Sequence, residues 1–183
     1  MKIVRESIDR FFDYDVNVES RTIYIGAEDV GFSMAEHAIK GLHLLQTMSP
    51  EKEIFILLNT FGGCWFNGMA IYDAIIACPC HVTITVIGSA MSMGSIILQA
   101  ADTRLIHPNA TLMVHDGYET RVDDIPTSFQ RWAEYSKVSQ KRMYEIFASK
   151  TGKPLGYWRK KCSADTILTA KEALSIGLVD NII

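Results

Sequence analysis

Apolar positions follow two rhythms along this chain, every second residue in some stretches and every third or fourth in others. Residues 22–26, Thr-Ile-Tyr-Ile-Gly, alternate and end on glycine, which predicts a short β-strand. Over 30–47 the apolar residues Phe32, Ala35, Ile39, Leu42 and Leu45 recur at helical spacing, so an amphipathic helix is expected there. Pro50 separates it from Ile54-Phe55-Ile56-Leu57-Leu58, an unbroken apolar run of the kind that forms a strand buried on both faces. A glycine turn, Asn59-Thr60-Phe61-Gly62-Gly63, leads into a predicted helix over 67–77. Residues 81–87 alternate at Val82, Ile84 and Val86 and read as a strand that Gly88 ends. A helix of small residues is expected over 92–101, then short strands at 105–106 and 111–114, parted by Pro108-Asn109.

Strands that alternate with helices predict an α/β fold with a largely parallel sheet. The pattern then changes. One long helical stretch runs over 128–151, with Phe129, Trp132, Tyr135, Val138, Tyr144 and Phe147 on a face. Its length and aromatics suit a protruding helix that contacts another subunit, and its periodicity suits an ordinary layer helix equally well. Thr169-Ala170-Lys171-Glu172 reads as a capping box that opens a short helix, Gly177 as its stop, and 178–180 as a final extended segment. No repeat or low-complexity linker divides the chain. Residues 1–20 lack a period, so a loosely held N-terminal arm is expected at 1–20 and one domain over 21–183.

Charge and composition narrow the function classes. The net charge is −3 with no basic block, which argues against a phosphate-reading nucleic-acid surface. The first residues lack the apolar core of a secretory signal, and the longest apolar stretch, 90–101, is broken by serine, glycine and glutamine. A cytoplasmic protein that uses no membrane is the expectation. The four cysteines are too scattered for a disulfide framework and read as reduced thiols. Zinc held by Cys78, Cys80 and His81 is the alternative, but no second ligand pair lies nearby, so no metal and no cofactor are expected.

Several residues could carry chemistry. Ser92 sits in Gly88-Ser89-Ala90-Met91-Ser92-Met93-Gly94, between a predicted strand and a predicted helix. Free N–H groups there favour an anion, as acyl transfer needs, yet a serine at a helix start is usually a cap. His115 follows the strand 111–114, where it can serve as a general base or stand as an ordinary half-exposed histidine. Asp165 lies in the loop before the capping box, where aspartate commonly makes turns. Gly62-Gly63 can bring backbone N–H groups close to a substrate or form a simple tight turn.

In order, the chain contains Asn59-Thr60-Phe61-Gly62-Gly63, Gly68-Met69-Ala70-Ile71-Tyr72-Asp73, Gly88 to Gly94, Leu112-Met113-Val114-His115, and Ser163-Ala164-Asp165-Thr166-Ile167-Leu168-Thr169 with Gly177-Leu178-Val179-Asp180. That series, over roughly residues 20 to 183, resembles the proteolytic subunit of the Clp protease. The resemblance implies a stack of β-β-α units, in the manner of the Clp and crotonase folds, with a protruding handle helix at about 128–151. It implies a serine endopeptidase with Ser92 as nucleophile, His115 as base and Asp165 as orienting carboxylate. The backbone N–H groups of Gly62 and Met93 become the oxyanion hole, and Gly62-Gly63 the edge that pairs with an extended substrate. Partners implied are polypeptide substrates, further copies of the chain in stacked seven-membered rings around a chamber, and an ATP-driven unfoldase of the AAA+ type.

The sequence departs from the family pattern in places. Thr60-Phe61 stands where Ser-Pro is usual, Asp116 where a proline is usual, Ala164 where an arginine is usual, and Tyr118 to Pro126 replaces a glycine-rich strand. Alternatives are a phage or prophage peptidase that trims scaffold proteins, an inactive scaffolding ring subunit, and a thioester-handling protein of the crotonase fold. The chain has no G-x-x-x-x-G-K-[ST] loop, so it supplies no ATP site of that kind.

Overall fold

The fold is taken from a computed structural model that describes residues 15–26, 29–117 and 126–183. The strands are β1 (Val16–Asn17), β2 (Thr22–Gly26), β3 (Ile54–Thr60), β4 (Val82–Met91), β5 (Thr103–Ile106), β6 (Thr111–Val114), β7 (Thr166–Thr169) and β8 (Asn181–Ile182). The helices are α1 (Phe32–Met48), α2 (Trp65–Ile76), α3 (Met93–Ile97), α4 (Pro126–Thr151), α5 (Leu155–Cys162) and α6 (Ala170–Ser175). A 3₁₀ turn, Leu98–Ala100, continues α3.

All eight strands among the described residues belong to one sheet. Strands β2, β3, β4, β5 and β8 lie parallel in that order, and β1 pairs antiparallel with β2. The expected α/β fold with a mostly parallel sheet is what the chain forms. Ile54, Ile56 and Leu58 of β3 and Val82, Ile84 and Val86 of β4 are fully buried, as central parallel strands require. Helix α1 buries Ala35, Ala38, Leu42 and Leu45, and packs on β2 and α2. Val16, within the expected arm, pairs with Ile23 and is itself buried, so the sheet begins before residue 21. Residues 1–14 of that arm, and most of the segment from Tyr118 to Pro126, lie outside the described residues.

Gly88 does not end the strand as its sequence context suggested. Strand β4 continues through it to Met91, and the register with β3 shifts there, from Leu58↔Val86 to Thr60↔Ala90. Gly88 takes φ +75°, and a Cβ on it would lie 2.5 Å from Asn59 Oδ1. That same Oδ1 accepts the Ser89 N–H at 3.1 Å, so Asn59 fills the bulge and supplies the bond that the shifted ladder lacks. The consequence is a strand with two partners. Its first part, Thr83 to Val86, pairs with β5, and its last part, Ser89 to Met91, pairs with β6. Strand β7 then adds antiparallel to β6.

Helix α4 spans 26 residues, close to the expected 128–151. Its C-terminal part is core: Met143, Tyr144, Ile146 and Phe147 are buried. Its N-terminal part leaves Phe129, Tyr135 and Val138 exposed, while Tyr135 stacks on Phe66 of α2 and Trp132 meets the same ring edge-on. Helix α5 had no counterpart in the sequence reading. Pro154 caps it, and Trp158, wholly buried, packs on Phe147 and donates to Thr151 Oγ1 at 3.1 Å. The capping box at Thr169 is present in full, with Glu172 returning to the Thr169 N–H. No helix among the described residues is long and apolar enough to cross a membrane.

Candidate active site

The site follows from two strand pairings that meet at the end of β6. In the parallel pair, Met91 of β4 lies beside Met113 of β6, and the Ser92 N–H donates to the Met113 carbonyl at 2.9 Å. Ser92 therefore emerges next to the last residues of β6. In the antiparallel pair, Val114 of β6 faces Thr166 of β7. One step further, the ladder sets His115 opposite Asp165. Three residues far apart in sequence thus meet at the same end of the sheet.

Their side chains form a connected line. Ser92 Oγ lies 2.8 Å from His115 Nε2, and His115 Nδ1 lies 3.0 Å from Asp165 Oδ1. With the proton on Nδ1, the imidazole donates to the carboxylate and its Nε2 accepts the serine hydroxyl, the tautomer that a general base needs. The His115 side chain is mostly covered, whereas Asp165 is largely open to solvent.

Ser92 itself has φ +50° and ψ −118°, a backbone conformation that an L-residue adopts only when its surroundings hold it. The turn from strand β4 into helix α3 is therefore sharp, and it lifts the hydroxyl out of the sheet. Its close neighbour must be glycine: a Cβ on Gly62, at φ +105°, would lie 2.7 Å from Ser92 Cβ and 2.8 Å from the Met91 carbonyl.

The backbone donors around Ser92 differ from the expectation at one position. The Gly62 N–H is taken, donating to Thr60 Oγ1 at 3.1 Å. The Gly62 carbonyl accepts from the Val30 N–H at 2.7 Å, and Val30 bridges Gly63 in parallel. In a trans peptide the N–H points opposite to the carbonyl, so the Gly63 N–H faces away from Val30. Gly63, not Gly62, is the residue of the pair whose N–H has no acceptor among the described residues. The Met93 N–H, at the first position of α3, is likewise without an acceptor there, and it lies 3.0 Å from where a Gly62 Cβ would sit.

An open cleft of about 620 Å³ lies in front of these groups. Trp65, Met93, Ile96 and Met143 give it apolar walls, Gln140 a polar one, and Asp29 a carboxylate. Cys64 also lines it and is an exposed free thiol. On the far side of His115, Asp116 accepts from Tyr144 Oη at 2.5 Å, and its N–H donates to the Cys162 carbonyl at 2.6 Å. Burial, reinforced by Asp116, pushes the Tyr144 phenol well above its ordinary value. Burial, again reinforced by Asp116, pushes the Cys162 thiol up to about 12. The loop that carries His115 is thus tied to α4 and α5 through Asp116, a contact not read from the sequence. Among the described residues, no group of three or more His, Cys, Asp or Glu side chains is placed to hold a metal ion.

Comparison with known families matches the model described as Clp protease over residues 7–183. That match takes in almost the whole chain and every residue of the line from Ser92 to Asp165. The family is one of serine-type peptidases, in keeping with the sheet, the sharp strand-to-helix turn at Ser92 and the adjacent imidazole, and this chain belongs to the Clp protease family.

Proposed function

We propose that this chain is a serine endopeptidase that cleaves extended polypeptides through an acyl-enzyme. The observation that carries the reading is the line Ser92 Oγ–His115 Nε2 at 2.8 Å with His115 Nδ1–Asp165 Oδ1 at 3.0 Å. His115 takes the Ser92 proton as Oγ attacks the scissile carbonyl, and returns it to the leaving amine. Asp165 holds the imidazole in the required tautomer and stabilises its charged form. The oxyanion is stabilised by the N–H groups of Met93 and Gly63, the latter in place of Gly62. Water then releases the acyl group by the same proton route.

One edge of the Gly62-Gly63 segment is occupied by Val30. The opposite edge, which carries the Gly63 N–H and carbonyl, is free to pair with an extended substrate as an added strand. In this reading the chain works in the cytoplasm as stacked rings of about seven copies, with the sites facing an enclosed chamber and an AAA+ unfoldase delivering substrate. The exposed apolar residues at the start of α4, with Phe61 and Phe32, support burial against further copies.

The test is cleavage of short fluorogenic peptides by the purified protein without ATP, beside Ser92→Ala protein of equal purity and fold. Cleavage that disappears in the variant is the expected result. Full cleavage in the variant refutes the assignment of Ser92.

A further inference from the structure

Helix α3 and its 3₁₀ extension are almost wholly apolar inside the core, with Ile96, Ile97 and Leu98 at 3%, 0% and 0% exposure. Two polar side chains interrupt them, Ser95 at 1% and Gln99 at 0%, and a third, Arg104, is buried beside them at 7%. Burying such groups costs free energy unless each one is bonded, and here each one is. Ser95 Oγ donates to the Ser92 carbonyl at 2.7 Å. Gln99 Nε2 donates to the Ser95 carbonyl at 3.1 Å and to the Leu178 carbonyl at 3.3 Å. Gln99 Oε1 accepts from Arg104 Nη1 at 2.7 Å, and Arg104 also binds the Gly177 carbonyl and the Asp180 carboxylate.

This row of bonds runs from the C-terminal segment to the strained residue of the site, and it ends on one particular peptide unit. The carbonyl that Ser95 holds belongs to the same planar group as the Met93 N–H. In a trans peptide the two point in opposite directions, so fixing the carbonyl fixes the N–H. We infer that Ser95 and Gln99 are positioning residues: they pin the Ser92–Met93 peptide so that its N–H stands in the oxyanion hole and Ser92 stays at φ +50° with Oγ toward His115. Arg104 and Asp180 anchor the far end. The inference rests on the reading of Ser92 as nucleophile. The hole matters most when the oxygen carries charge, so the contribution falls on the transition state and not on substrate binding.

Steady-state cleavage by Ser95→Ala, Gln99→Glu, Ile97→Val and Ser92→Ala proteins tests it, together with inhibition by a peptide boronate, whose oxygen occupies the hole. Gln99→Glu keeps an acceptor for Arg104 and removes the donor to Ser95. Ser95→Ala is expected to lower kcat roughly fivefold to tenfold, the rate equivalent of one hydrogen bond, with KM within about twofold. Boronate affinity is expected to fall by the same factor, and Gln99→Glu to act in the same direction. Ile97→Val trims the same buried turn without touching the row, and its kcat should stay within about twofold of the parent. A Ser95→Ala kcat within twofold of the parent, or an equal loss in Ile97→Val, overturns the positioning role. Activity retained in Ser92→Ala overturns instead the reading on which it rests.

Discussion

Strand register brings Ser92, His115 and Asp165 into one hydrogen-bonded line. Ser92 and His115 were legible because each follows a recognisable strand and matches a family motif. Asp165 was legible only through the motif, since Thr166–Thr169 is four residues long and exposes Ile167, leaving no clean alternation to mark β7. The choice between Gly62 and Gly63 was hidden because it depends on which way one peptide plane faces, and Val30 settles that. Gly62→Ala places a Cβ against Ser92 and the Met91 carbonyl, so kcat should fall roughly a hundredfold in protein that remains folded by circular dichroism. Thiol titration should separate the cysteines: exposed Cys64 reacts at once, whereas buried Cys162, its thiol pushed up by burial, reacts only on unfolding.

Among the elements, the long helices and several short elements, β2, β5, β6 and α6, were legible, whereas α5 and the far end of β4 were not. Helices α1 and α4 repeat their apolar spacing often enough to be read directly. Helix α5 is eight residues long, its buried side chains are Trp158 and Cys162, and its last turn is basic, so the sequence offered little period. Strand β4 was cut short at Gly88 because a glycine there can end a strand or bulge it, and the compensating Asn59 lies in another strand. The elements around the site give two separable predictions. Thr169→Ala removes the capping box of α6 and should cost about 1 kcal/mol of stability in urea titration, with kcat unchanged. Tyr144→Phe removes the bond that ties Asp116, next to His115, to α4. It should also cost about 1 kcal/mol, but here kcat should fall as well, because the imidazole loses its support.

For the whole molecule, the C-terminal segment is bound to the core through Arg104 and Asp180. Burial pushes the Asp180 carboxyl up, but the hydrogen bonds and charge of Arg104 outweigh it and hold the group below its ordinary value. A carboxyl lowered in the folded state adds stability that is present above its unfolded value, near pH 3.9, and is lost as pH falls through the lower folded value. Melting temperature should therefore drop in acid, and Asp180→Asn should flatten that part of the profile. Assembly was the least legible property, because exposed aromatics on α4 and α2 say that a surface is apolar without saying what covers it. The proposed double ring has a mass of about 290 kDa from chains of 20.5 kDa. Trp132→Glu should shift light scattering toward smaller species and lower peptidase activity together.

Every role proposed for the site depends on Ser92 being a nucleophile activated by His115. A serine-directed phosphonofluoridate, with its site of attachment mapped by mass spectrometry, tests this most directly. One adduct per chain on the peptide that contains Ser92 is predicted, with none in Ser92→Ala and labelling slowed at least about a thousandfold in His115→Ala. An adduct elsewhere, or equal labelling of the parent and the His115→Ala protein, would contradict it.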